Sequence, residues 1–143
     1  MIKKYENLSG YKLDIISQIW LQSNLDTHDF ISPVYWTNNF DFVKERLSSA
    51  LIYSYLYKNE IIGFIGLVDG YIAGIFILKN FRSLGIGTKL LDATKEQNDK
   101  LTLSVFKKNK QAVKFYQKNG FTVLQEKVDI ETNELEYLMG WNT

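Results

Sequence analysis

The 143-residue chain carries 17 Lys and Arg against 16 Asp and Glu, a single His, one Pro and no Cys, and 45% of it is hydrophobic. That length buries a core without staples, and the missing thiol excludes disulfide frameworks, thiolate metal sites and cysteine nucleophiles. The apolar runs are too short and too interrupted by glycine to span a membrane, the start has no secretory pattern, and no linker-like stretch divides the sequence, so one cytoplasmic domain over residues 1–143 is expected.

Ile2 to Tyr5 suits a short strand. Leu13, Ile16, Ile19 and Trp20 then recur at helical spacing behind Ser9 and Gly10, which predicts a helix of about three turns. Ser32-Pro33 marks a second helix start, and Phe40, Val43, Leu47 and Leu51 carry the pattern on past a break near Asn38-Asn39. Three runs rich in β-branched and aromatic residues follow: Leu51 to Tyr57, Ile61 to Val68 and Tyr71 to Leu78. Lys58-Asn59-Glu60 separates the first two. Asp69-Gly70 separates the others and is a strong two-residue hairpin signal, because both central positions of such a turn need positive φ.

A helix from about Gly85 to Gln97, a strand from Leu101 to Phe106 and a helix capped by Asn109 and ended by Asn119-Gly120 come next. Phe121 to Ile130 and Glu134 to Trp141 read as two last strands. The order β-α-α-β-β-β-α-β-α-β-β runs strands consecutively and then alternates them with helices. It predicts an α+β fold, one mixed and mostly antiparallel central sheet flanked by helices.

The stretch from Ile75 to Leu91 joins a strand, a turn with two glycines and a helix start. Unpaired amides at a helix N-terminus converge on one point, the helix dipole adds positive potential, and glycine admits close approach, so this geometry suits an anion. The spacing matches neither the dinucleotide fingerprint nor a P-loop.

Within it, Arg82-x-x-Gly85-x-Gly87 resembles the acetyl-coenzyme A signature of the GNAT (GCN5-related) N-acetyltransferases. Asn109-x-x-Ala112-x-x-Phe115-Tyr116-x-x-x-Gly120-Phe121 resembles that family's later motif, and the element order is similar over essentially the whole chain. The resemblance implies the GNAT fold and direct transfer of the acetyl group of acetyl-CoA, in a ternary complex, to a primary amine of a small molecule or peptide, with no metal. In similar proteins the strands Tyr71 to Leu78 and Leu101 to Phe106 splay apart. The resemblance then implies that the backbone of Ile75, Phe76 and Ile77 holds the pantetheine amides. The amides of Arg82, Ser83, Leu84, Gly85, Ile86, Gly87 and Thr88 hold the pyrophosphate, and Asn109 contacts the pantetheine arm.

Tyr116 matches the family's general acid, and a phenol with a reference pKa near 10 stays protonated at neutral pH and can donate to a departing thiolate. The attacking amine must lose a proton first. Relatives often place an acid on the fourth strand, but Tyr71-Ile72-Ala73-Gly74 supplies none. His28, in His28-Asp29-Phe30-Ile31, resembles a segment of one family branch and is a candidate base or substrate ligand; the alternative is a loop histidine packed beside aromatics. Trp36, with Trp20, Tyr35 and Phe40, is a candidate acceptor wall, and the acids from Glu126 to Glu136 read as a solvated hairpin edge. The missing base keeps open a non-catalytic acyl-CoA-binding module as the alternative function. No nucleic-acid partner is expected, and monomer or homodimer is left open.

The near-zero net charge is unevenly spread. Residues 79–118 hold ten basic side chains against Asp92, Glu96 and Asp99, a local +7 that leaves −6 elsewhere. The positive part coincides with both motifs, as a polyanionic cosubstrate requires.

Overall fold

The computed structural model describes residues 1–143, in which alternation and helical period sort the apolar residues onto two faces of one sheet. The strands are β1 (Ile2–Tyr5), β2 (Leu51–Tyr57), β3 (Glu60–Val68), β4 (Tyr71–Ile77), β5 (Lys100–Phe106), β6 (Thr122–Asp129) and β7 (Glu134–Asn142). The helices are α1 (Gly10–Thr27), α2 (Pro33–Asn38), α3 (Phe40–Ser49), α4 (Ile86–Lys95) and α5 (Lys110–Lys118), with a 3-10 turn at Lys79–Phe81. No helix is long and apolar enough to cross a membrane.

The sheet runs β1-β2-β3-β4-β5-β7-β6, and every neighbouring pair is antiparallel except β4 and β5. Because successive strand residues point to opposite faces, Tyr53 and Ile65 join Leu90, Leu91, Leu103 and Met139 under α4 and α5. Their neighbours Ile52 and Phe64 join Ile16, Trp20 and Trp36 under α1 to α3. Each fully buried Ile, Leu or Phe contributes roughly 1.5–3 kcal/mol relative to its exposed state.

α1 is longer than the apolar spacing predicts. Its later polar residues extend it by bonding back one turn: Ser17 Oγ donates to the Leu13 carbonyl at 2.7 Å, Asn24 Nδ2 to Trp20 at 2.9 Å and Thr27 Oγ1 to Ser23 at 2.7 Å. The break between α2 and α3 falls where expected. There Asn39 Nδ2 donates to the Tyr35 carbonyl at 2.7 Å. The hairpin of β3 and β4 turns through Asp69 (φ 50°) and Gly70 (φ 79°), both left-handed as the Asp-Gly pair predicts.

Between β4 and β5 the sheet is barely joined. They pair only at Tyr71 with Thr102 and at Ile72 with Leu103. The register against β3 shifts in the same place, with Gly66 opposite Gly74 but Leu67 opposite Ile72, so Ala73 is a bulge residue that bends β4 away from β5. Glycine is needed beside the bulge, since a Cβ on Gly74 would lie 2.3 Å from the Phe76 ring. From Ala73 to Ile77 one edge of β4 therefore pairs with β3 and the other lacks a strand partner.

Candidate functional site

A cavity of about 650 Å³ opens at this gap. Ala73 to Ile77 of β4, Ser104 to Phe106 of β5, the turn before α4, and residues of α5, α1, α2 and the β6–β7 hairpin line it. The site residues proposed from the sequence line it except Phe40 and Leu84, the latter 64% exposed on the turn.

The turn before α4 is built for unpaired donors. Ser83 (φ 65°) and Gly85 (φ 81°) are both left-handed and swing the chain into the helix, and no side chain caps it. The first helical bond runs from Lys89 N–H to the Gly85 carbonyl at 3.2 Å, so the amides of Ile86, Gly87 and Thr88 have no acceptor within the helix. Such a donor set could hold a diphosphate. Arg82 fixes the turn from beneath: its Nε donates to the Ile77 carbonyl at 2.9 Å, and its guanidinium lies 3.7 Å from Asp26 of α1. A Cβ on Gly85 would meet nothing within 4 Å, so Gly85→Ala tests backbone conformation alone. The left-handed cost of about 1–2 kcal/mol should lower the melting temperature by a few degrees and weaken acetyl-CoA binding measured by calorimetry.

Tyr116 projects from the second turn of α5. It is 8% exposed, its ring sits edge-on to Phe115 and Phe121 at centroid distances of 5.4 and 5.8 Å, and its hydroxyl makes no hydrogen bond within the protein. Burial pushes its pKa well above the usual tyrosine value, with the nearby Tyr71 adding to the effect, so the phenol keeps its proton at neutral pH.

His28 caps the C-terminus of α1 and is stacked on Trp36 at 5.4 Å. Two amides fix its tautomer. Asn24 spends its Nδ2 on the Trp20 carbonyl and turns Oδ1 to His28 Nδ1 at 2.9 Å, which must therefore carry the hydrogen. Asn109 uses Oδ1 to accept the Ala112 N–H at 3.2 Å, capping α5, and turns Nδ2 to His28 Nε2 at 3.0 Å. That nitrogen's lone pair is thus occupied. Burial lowers the His28 pKa to about 4, offset in part by Asp29. A neutral imidazole with no free lone pair ties the end of α1 to the start of α5, and in this geometry it is not disposed to accept a proton from an amine.

The acceptor wall proposed from the sequence is partly present: Trp20, Tyr35 and Trp36 line the cavity, whereas Phe40 packs in the core beneath. Trp36 is 6% exposed, and its Nε1 has no partner. The hairpin acids need correction. β6 is an exposed edge, but Asp129 and Glu136 line the cavity, and the Tyr35 hydroxyl donates to Glu131 at 2.9 Å across the mouth from α2 to the hairpin. Strand alternation carries the missed signal. Glu136 faces the side of the sheet opposite to buried Met139, the side covered by α1 to α3, and β7 enters the sheet between β5 and β6.

Comparison with known proteins agrees with this geometry. The family model described as the acetyltransferase (GNAT) domain matches residues 26–137. The chain is 28% identical over 132 residues to the peptidyl-lysine N-acetyltransferase YiaC of Escherichia coli, covering 91% of this chain and 90% of YiaC. It is 34% identical over 106 residues to the peptidyl-lysine N-acetyltransferase YjaB of the same bacterium, covering 73% and 72%. The solution structure of apo YjaB superposes with a TM-score of 0.84 over 99% of this chain and 96% of YjaB, at 27% identity. A Bacillus anthracis protein described as a streptothricin acetyltransferase, solved in complex with acetyl coenzyme A, matches with a TM-score of 0.61 at 28% identity, covering 66% of this chain and 62% of its own. The chain belongs to the GNAT N-acetyltransferases, acyltransferases that take their acetyl group from acetyl-CoA.

Proposed function

We propose that residues 1–143 act as one catalytic domain that transfers the acetyl group of acetyl-CoA directly, within a ternary complex, to the side-chain amine of a lysine in a peptide or protein. The observation that carries this reading is the gap between β4 and β5 with the unpartnered Tyr116 hydroxyl beside it. The lysine acceptor is supported by the names of YiaC and YjaB and by the two carboxylates, Asp129 and Glu136, that line the cavity.

Bound acetyl-CoA supplies a thioester carbon open to attack by an amine. The chain's own residues do the rest. The free edge of Ile75, Phe76 and Ile77 offers backbone groups to an extended pantetheine arm, and the amides from Ser83 to Thr88 offer donors to its diphosphate, whereas the Arg82 amide is already bonded to the Lys79 carbonyl. Asn109 retains one Nδ2 hydrogen beyond its bond to His28 and can present it to the same arm. Tyr116 holds the proton that the leaving sulfur needs. Leu84 acts only through its backbone. Trp36 forms an apolar wall against the lysine stem, and His28 serves as a strut between α1 and α5.

Acetyl-CoA should raise the melting temperature of the purified protein, and mass spectrometry should find acetyl-lysine on a lysine-containing peptide after incubation with both. Thermal stabilisation without peptide acetylation would refute the lysine acceptor. Absence of both would refute the whole reading.

A further inference from the structure

An alkylamine reaches the site protonated at neutral pH, and the proton it must lose before attack needs an acceptor. Among the side chains lining the cavity only Asp129 and Glu136 are carboxylates, and the one imidazole, His28, has its lone pair engaged by Asn109 and a pKa of about 4. Asp129 belongs to the hairpin turn: its Oδ2 accepts the Thr132 hydroxyl at 2.6 Å and its carbonyl accepts the Asn133 N–H at 2.7 Å. Glu136 has no such duty. Its side chain is 16% exposed, and its one cationic neighbour is Lys127, whose Nζ pairs with Oε1 at 3.6 Å. Glu136 pairs with Phe106, the last residue of β5, along the β5 edge that faces β7, and lines the same cavity as the gap.

We infer that Glu136 binds the ammonium group of the acceptor and takes its proton. The assignment rests on the acetyl-transfer reading above. Of the three ammonium hydrogens, one passes to the Glu136 carboxylate. A second leaves as the nitrogen–carbon bond forms and the carbon–sulfur bond breaks, and the sulfur receives a proton from Tyr116, which that second hydrogen then replaces. The third stays on the product amide, and Glu136 returns its proton to solvent. Tyr35 and Trp36 of α2 and Phe106 of β5 supply the ring faces against which a cation is held beside a carboxylate. The charged and titratable groups facing Glu136 are Lys127 and Asp129 of β6 and Tyr35 of α2. Burial raises the Glu136 pKa, Asp129 reinforces this and Lys127 opposes it, moving the carboxylate toward the range in which a base at neutral pH works best.

The test compares wild type, Glu136→Gln and Glu136→Asp on two peptides, one with ordinary lysine and one whose lysine carries two fluorines on Cδ, which make the amine far less basic. Glu136→Gln should keep the melting temperature and its rise with acetyl-CoA. It should lose about 100-fold in kcat on ordinary lysine at neutral pH. The loss should shrink as the pH rises and the amine deprotonates unaided, and it should nearly vanish on the fluorinated lysine, while Glu136→Asp recovers part of the rate. Equal losses at every pH and on both peptides would assign Glu136 a structural role and overturn the inference, as would unchanged turnover. Unchanged turnover leaves the acetyl-transfer reading standing, whereas a wild-type protein that acetylates neither peptide overturns the base assignment together with the lysine acceptor.

Discussion

Replacing Tyr116 with Phe should lower kcat by about 10²–10⁴-fold and leave acetyl-CoA affinity and the KM for the amine nearly unchanged. The substitution removes one oxygen and keeps the ring. Because the ring is held edge-on by Phe115 and Phe121 and the hydroxyl has no protein partner, no buried group loses a hydrogen bond and the fold should keep its melting temperature within a few degrees. An interaction made only as charge develops on the leaving group appears in kcat and not in binding. The buried phenol has its pKa raised well above the usual value, so wild type should show no alkaline loss of activity from this group through mildly basic pH. Stopped-flow release of free coenzyme A would measure it, and an unchanged kcat across pH would remove Tyr116 from the chemistry.

Acidification should weaken the fold through His28. Its pKa is about 6.5 in the unfolded chain and about 4 in the folded one, depressed chiefly by burial. Above pH 6.5 both states are neutral at this residue and the contribution is complete. Between pH 6.5 and 4 the unfolded chain binds a proton that the folded chain refuses, so stability falls with falling pH, and below 4 this loss is constant. A shift of this size on a partly exposed ring is worth on the order of 2 kcal/mol. Protonation also puts an N–H on Nε2 against the Asn109 Nδ2 donor, breaking the tie between α1 and the cap of α5. Urea midpoints measured from pH 7 to pH 4 should drop more in wild type than in His28→Gln, which lacks the titrating ring. Parallel curves would show that the imidazole is not protected from protonation in the fold.

Most elements were legible because their signals are local. Asp69-Gly70, Ser32-Pro33 and the Asn109 cap each specify a turn or a helix end through their own chemistry, and the structure uses all three. The fold class followed from the order of strands and helices. What escaped was set by partners distant in sequence. The three-turn expectation for α1 missed polar residues that bond back along the helix, and no spacing rule shows that Asn24 turns its amide to His28. The Glu126 to Glu136 acids look like a solvated edge until β7 is seen to lie between β5 and β6, which brings Glu136 and Asp129 into the cavity lining. The gap itself was anticipated only from the family resemblance, and its local cause, the Ala73 bulge beside Gly74, carries no signal that composition or periodicity reads.

The two residue pairs that join β4 to β5 make the sheet two plates meeting at a narrow seam, β1 to β4 on one side and β5 to β7 on the other. A ligand bridging that seam would add contacts to both plates that only the folded chain can make. Its binding free energy adds to the folding free energy by RT ln(1 + [L]/Kd), roughly 2.7 kcal/mol when free ligand is 100 times Kd. Acetyl-CoA would then act on the folding equilibrium as well as on the reaction, and the unfolding midpoint should rise with its free concentration.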